Sequence, residues 1–166
     1  MVHFRKTHNI KTPISTGRLG ELKAIFQLEE LGFNVKDMNE EDCLSEFDLL
    51  VNKKIKIEVK TSNLSNDNTY TFGLSEKPRN KNRVSKNRIK LKSGRTKKIY
   101  RNTADYFILV GMGECKPRFW IVPTNHINDQ LNIIRFSKNS SRYKEYKNNF
   151  ELLRDGGDEN WNKHFK

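Results

Sequence analysis

Apolar positions recur at Leu19, Leu22, Ile25, Phe26 and Leu28, the spacing of one helical face, which predicts a helix from about Gly17 to Leu31 with Gly32 as its stop. Phe33 and Val35 then start a short strand, and Glu40 to Glu46 form an acidic connector. Phe47–Val51 and Ile55–Thr61 read as two strands joined by the tight turn Asn52-Lys53-Lys54. Tyr70, Phe72 and Leu74 alternate with small or polar residues, as a half-buried strand does. Ala104 to Val110 and Phe119 to Pro123 are near-continuous apolar runs, the pattern of central strands buried on both faces. Thr124 is placed to cap a helix running to about Ile134, and Tyr143, Tyr146, Phe150 and Leu153 predict a last helix. The order is that of an α/β domain, a mixed central sheet flanked by helices. Residues 1–14 read as a basic N-terminal arm and residues 15–166 as one domain.

Composition adds a partner. The 166 residues are 34% hydrophobic, with ten Phe, five Tyr and two Trp, enough to fill one core. Thirty-two Lys and Arg against twenty Asp and Glu leave a net charge of +12, which attracts phosphate polyanions. Net charge by itself fits ribosomal or anionic-membrane binding equally well. The charge is concentrated, however: from Lys77 to Arg101 there is no acidic residue, and only Val84, Ile89, Leu91, Ile99 and Tyr100 offer apolar anchors. This stretch reads as a long basic loop with a short strand near Ile89. Its candidate phosphate contacts are Lys77, Arg79, Lys81, Arg83, Lys86, Arg88, Arg95, Lys97, Lys98 and Arg101. Cys43 and Cys115 lack metal-ligand spacing, as do His3, His8, His126 and His164. No stretch approaches the length of a membrane span, so a cytoplasmic protein without a membrane partner is expected.

The hairpin carries the chemistry. Alternation puts Ile55, Ile57 and Val59 on one face and Lys56, Glu58 and Lys60 on the other. A turn centred on Lys53 sets Asp48 opposite Glu58, with side chains about 4.5 to 5.5 Å apart. A slip of one residue would send Asp48 to the other face. Facing carboxylates repel unless a cation intervenes, and hard oxygen ligands favour Mg²⁺, with Mn²⁺ as a substitute. Asp48, Glu58 and the backbone carbonyl of Val59 are the expected ligands. Lys60 beside them is suited to holding an attacking water and stabilising charge that develops at phosphorus. Glu21, at the edge of the face of the first helix that packs on the sheet, is a further candidate, and Gly17 and Gly20 would let that helix approach closely. The plain structural alternative is a solvated hairpin whose cross-strand ion pairs contribute up to about 1 kcal/mol each.

Asp48 followed by Glu58-Val59-Lys60 on the next strand, with Gly20-Glu21 on a preceding helix, resembles the PD-(D/E)xK nuclease superfamily. The likeness continues through Gly17-x-x-Gly20-Glu21, Leu31-Gly32-Phe33-x-Val35, Asp105-Tyr106-Phe107 and Trp120-Ile121-Val122-Pro123, covering roughly residues 15 to 125. Phe47 stands where the pattern has proline. The resemblance implies a restriction-endonuclease-like fold, Asp48 and Glu58 as metal ligands, Lys60 as the residue that orients water, and Glu21 as an auxiliary carboxylate. It also implies an Mg²⁺-dependent endonuclease hydrolysing DNA, of restriction, homing or junction-resolving type. A homodimer is expected, because one site per chain cuts both strands most simply as two copies. A non-catalytic nucleic-acid-binding module and an RNA-directed nuclease remain as alternatives.

Overall fold

A computed structural model describes residues 13–42, 44–76 and 87–154. Helix α1 spans Thr16–Glu30, with the Ser15 side chain accepting from the Arg18 N–H as its cap. Gly32 takes φ 84°, and the Phe33 N–H returns to the Leu28 carbonyl, closing the helix in the left-handed manner that glycine permits. Its buried side is Gly20, Ala24 and Leu28, while Phe26 is 61% exposed and Leu22 also faces out. The helix therefore docks through small residues rather than through the larger ones that set its apolar periodicity.

Strands β1 (Val35–Asp37), β2 (Leu49–Val51) and β3 (Ile55–Asn63) are followed by β4 (Thr69–Gly73) and β5 (Ser75–Glu76). Then come β6 (Arg88–Lys90), β7 (Thr96–Lys98), β8 (Tyr106–Met112), β9 (Arg118–Pro123) and β10 (Ile133–Ser137). A one-turn helix α2, Met38–Glu41, leads from β1 toward β2. The central sheet runs β1-β2-β3-β8-β9, antiparallel except for the parallel pair β3–β8, so the chain is an α/β fold on a mixed five-stranded sheet. Asp105 fixes the parallel junction, its carboxylate accepting from the Lys56 N–H at 2.8 Å and its own N–H donating to the Lys56 carbonyl.

Partners across strands share a face, which sorts the two layers. Ile57, Val59 and Thr61 face α1, where Gly20 lies against the Thr61 side chain. Glu58, Lys60 and Ser62 share the other face with Phe107, Leu109 and Trp120. That face is covered by strands: the β4–β10 ribbon brings Tyr70, Phe72 and Phe136 against Trp120, and the small sheet β5-β7-β6 lies beyond. With both faces covered, β8 is buried from Tyr106 to Gly111.

Two expected helices are absent among the described residues. Thr124 does not cap one; its hydroxyl donates to the Ala104 and Asp105 carbonyls, and only a 3-10 turn, Thr124–His126, follows. Ile134 and Phe136 alternate with exposed residues as β10, which pairs with β4 and begins at Ile133, at the end of the span expected to be helix. Tyr146, Phe150, Leu152 and Leu153 are buried, but on two 3-10 turns, Lys144–Tyr146 and Phe150–Leu153, that interrupt the expected helix. The short strand expected near Ile89 is β6, and it pairs antiparallel with β7, which the loop expectation did not include; residues 77–86 lie outside the described residues, as do residues 1–12 of the expected arm.

A Cβ at Gly20 would fall 1.8 Å from Thr61 Oγ1 and 2.8 Å from both its Cβ and Cγ2. Glycine-to-alanine gains about 1 kcal/mol of helix propensity, but a β-branched neighbour cannot rotate all three atoms away, and overpacking costs about 1 to 3 kcal/mol. Overpacking wins, so Gly20→Ala should lower the urea midpoint of unfolding; an unchanged or raised midpoint would show that α1 can lift off the sheet freely. Gly17 has open space around it and has no such role.

Candidate functional site

The hairpin register is Leu49↔Ile57, Leu50↔Lys56 and Val51↔Ile55, the pairing that a turn centred on Lys53 requires. Asn52 and Lys53 carry φ of 50° and 60°, and the Lys54 N–H closes the turn on the Val51 carbonyl at 3.1 Å. The ladder ends at Leu49, one residue short of Asp48. The Asp48 N–H still donates to the Ile57 carbonyl at 2.9 Å, and its side-chain Oδ2 accepts the Val59 N–H at 2.7 Å. In a strand the N–H and carbonyl of one residue point to the same side, so the Val59 carbonyl lies along the same open edge as the Asp48 carboxylate. Among the described residues, the other Asp48 oxygen takes no hydrogen bond.

Glu58 is 4% exposed, in the middle of the sheet. A carboxylate so placed must be paired. Lys60 Nζ meets its Oε1 at 2.7 Å and Lys98 Nζ meets its Oε2 at 2.7 Å. Lys98 also donates to the Glu46 carbonyl. The Tyr100 ring backs the group, with Lys60, Lys97 and Lys98 ammoniums 5.2, 5.8 and 5.1 Å from its centre. Tyr100 is fixed in turn by an edge contact with Phe107 and a hydrogen bond to the Leu74 carbonyl.

These groups set one another's charge. Burial and the facing Glu58 push the Asp48 carboxyl up to about 7, against the pull of the Val59 N–H and Lys60; Glu21 adds to the rise. Burial opposes a charge on Lys60, yet Glu58, Tyr100 and Asp48 hold its ammonium above the ordinary lysine range. Lys60 is thus a fixed cation at neutral pH, suited to charge stabilisation and to donating to a water rather than taking its proton. Glu21 lies close enough for its charge to act on Asp48, but one of its oxygens is occupied by Arg18 at 2.9 Å and Asn39 at 3.0 Å. Arg18 also binds Asp37 and Glu40, tying the start of α1 to β1 and α2.

Asp48, Glu58 and Lys60, expected on one face of the hairpin with the Val59 backbone beside them, lie close together in the structure. The sequence reasoning missed Lys98, Tyr100 and Arg18 as neighbours of the site; Lys98 is one among many lysines in the basic run, and no local signal separates it from them. Lys97, named as a phosphate contact, is corrected: it is 1% exposed, its Nζ donates to the Asn128 and Asp129 carbonyls, and burial lowers its pKa. Arg101 pairs with Asp129 at 2.8 Å, and Arg95 is exposed with a contact to Ser75. Arg88 sits on β6, half-buried. Lys77, Arg79, Lys81, Arg83 and Lys86 lie outside the described residues. Ser62 is structural, its hydroxyl joining the Thr71 N–H to the Asn63 carbonyl.

The donor set fits a hard divalent cation: two carboxylates, one with an oxygen free of hydrogen bonds, and a backbone carbonyl on the same edge. Among the described residues, no group of three or more His, Cys, Asp or Glu side chains is gathered to hold a metal ion.

No family model and no curated protein matches the sequence. Among solved structures, that of a bacterial homing endonuclease, I-Ssp6803I, superposes with a TM-score of 0.63 at 15% identity, covering 87% of this chain and 95% of that one. The chain shares that protein's fold. No helix among the described residues is long and apolar enough to cross a membrane.

Asp48 holds its proton more tightly in the folded protein than the ordinary carboxylate of an unfolded chain does. This contribution to stability is fully present below about pH 4 and is lost as pH rises through about 7. Metal-free protein should therefore lose several degrees of melting temperature between about pH 5 and about pH 8, and Asp48→Asn should lose less and melt higher at the upper pH. Parallel melting curves for the two proteins across that range would contradict the assigned environment of Asp48.

Proposed function

We propose that the chain is a metal-dependent endonuclease of the PD-(D/E)xK type that hydrolyses phosphodiester bonds in DNA. The observation that carries this reading is the hairpin, which holds the Asp48 carboxylate on the Val59 N–H, near the buried Glu58 and the charged Lys60. The fold shared with a bacterial homing endonuclease supports it, as does the net charge of +12.

Asp48, Glu58 and the Val59 carbonyl would hold Mg²⁺, or Mn²⁺ in its place. The bound ion would supply Lewis acidity toward a phosphate oxygen and lower the pKa of a water. Lys60 stabilises the charge that accumulates on the phosphoryl oxygens and orients the water through its N–H donors. Glu21, with Arg18 and Asn39 holding one of its oxygens, offers the other as a hydrogen-bond acceptor at the margin of the site. Exposed cations such as Arg95 hold the backbone of the duplex by charge, which makes binding strongly salt-dependent. A homing, restriction or junction-resolving role fits this site equally, and two copies would serve to cut both strands.

One observation favours a second reading, a nucleic-acid-binding module without catalysis: both oxygens of Glu58 are occupied by ammoniums, as in a purely structural ion cluster.

Cleavage of plasmid, branched and single-stranded DNA and of RNA, with and without Mg²⁺, separates the readings. The nuclease cuts DNA only with metal, and Asp48→Ala and Lys60→Ala each lower the rate at least roughly a hundredfold while DNA affinity stays within a few-fold. Wild-type protein that binds DNA but cuts nothing in the panel establishes the module, and preferential cutting of RNA overturns the DNA assignment.

A further inference from the structure

Glu58 has two cationic partners, although one would meet the pairing requirement of a buried carboxylate. Lys60 lies two residues away on the same strand and face, so its approach follows from β3 alone. Lys98 arrives from a different sheet, forty residues away in sequence, at the end of β7. Its side chain is 12% exposed, and its ammonium joins Glu58 to the Glu46 carbonyl just before Asp48.

Two carboxylates, Asp48 and Glu58, face two ammoniums, Lys60 and Lys98. The cluster can be neutral as it stands. A divalent cation at the Asp48–Glu58 edge would leave two surplus positive charges there and would compete directly for the lone pairs Lys98 uses. The two lysines differ in where they come from. Lys60 is fixed to β3 and touches Glu58 and Tyr100; Lys98 touches Glu58, Tyr100 and the Glu46 carbonyl, but it reaches in from the β5-β7-β6 sheet, next to the exposed basic positions Lys90, Lys92 and Arg95.

We propose that Lys98 is a removable counter-ion. It neutralises Glu58 in the metal-free protein; once a divalent cation takes that carboxylate, the Lys98 ammonium turns to a phosphate of the bound nucleic acid. Metal and polyanion then reinforce each other's binding, as linkage requires of two ligands favouring the same state. The inference rests on the reading of the site as a metal-dependent nuclease centre. It assigns Lys98 a positioning role in which the protein keeps its cation site closed until substrate is present.

Titrating Ca²⁺ into the full chain by calorimetry, alone and with a short DNA duplex, tests this on wild type, Lys98→Met, Lys98→Gln and Asp48→Asn. Circular dichroism confirms folding, and Lys98→Gln, which keeps the polar stem, serves if the methionine variant does not fold. Without DNA, the Lys98 variants should bind Ca²⁺ roughly tenfold tighter than wild type, the loss of one charge-assisted competitor. DNA should tighten Ca²⁺ binding to wild type but add little for the variants. Lys98 variants that bind Ca²⁺ no tighter than wild type, at a site Asp48→Asn abolishes, would overturn the counter-ion role and leave the metal centre standing. If no protein binds Ca²⁺ in an Asp48-dependent way, with or without DNA, both readings fall.

Discussion

A carboxylate buried in the middle of an otherwise apolar strand is the constraint around which the rest of this molecule is arranged. Glu58 lies between Ile57 and Val59 on the central strand β3, and desolvation of an unpaired charge there would cost several kcal/mol. Its stability demands cations from the same face, and that face is the one without the long helix. Lys60 is supplied by strand alternation, while Lys98 requires that β7 be brought across the sheet, which the β5-β7-β6 pairing and the Tyr100 ring accomplish. Lys97, next along β7, points into the protein and bonds the 128–129 loop, so the two adjacent lysines pin this sheet from opposite sides. Burying ions in this way adds little net stability compared with an apolar core.

The second determinant is where pairing stops. β2 contributes only three residues to the hairpin; beyond Leu49 the Asp48 N–H still bonds the Ile57 carbonyl, but the Val59 N–H is taken by the Asp48 side chain instead of by a strand carbonyl. Had the ladder continued, a backbone carbonyl would have taken the place of that carboxylate. Helix α1 approaches through Gly20 on the opposite face and carries Glu21 to the margin of the site, with Arg18 anchoring the turn.

The hairpin was legible in the sequence because its signals are local: alternation in residues 55–60, a turn opened by Asn52, a residue type that tolerates positive φ, and a register fixed by the turn's centre. The central strands and the glycine stop of α1 were legible for the same reason. What the sequence concealed depends on tertiary contact. The spacing of Tyr143, Tyr146, Phe150 and Leu153 suits a helix, but successive 3-10 turns also bury Tyr146, Phe150 and Leu153. Thr124 has the chemistry of a cap, and its hydroxyl is used instead by carbonyls twenty residues upstream. Lys97 and Lys98 sit in a run of like charges where nothing nearby marks one as a core ion and the other as a partner of Glu58, since both fates are decided by segments thirty or more residues away.

Taken together, register, strand termination and paired charge set two carboxylates beside two ammoniums, inside a fold shared with a bacterial homing endonuclease. The most direct measurement is the position of Mn²⁺ in a crystal grown with that ion, located by its anomalous scattering. The account predicts a peak bonded to Asp48, Glu58 and the Val59 carbonyl, with the Lys98 ammonium withdrawn from Glu58. A crystal in which Mn²⁺ sits elsewhere, or in which saturating Mn²⁺ leaves that site empty and both lysines on Glu58, would contradict it.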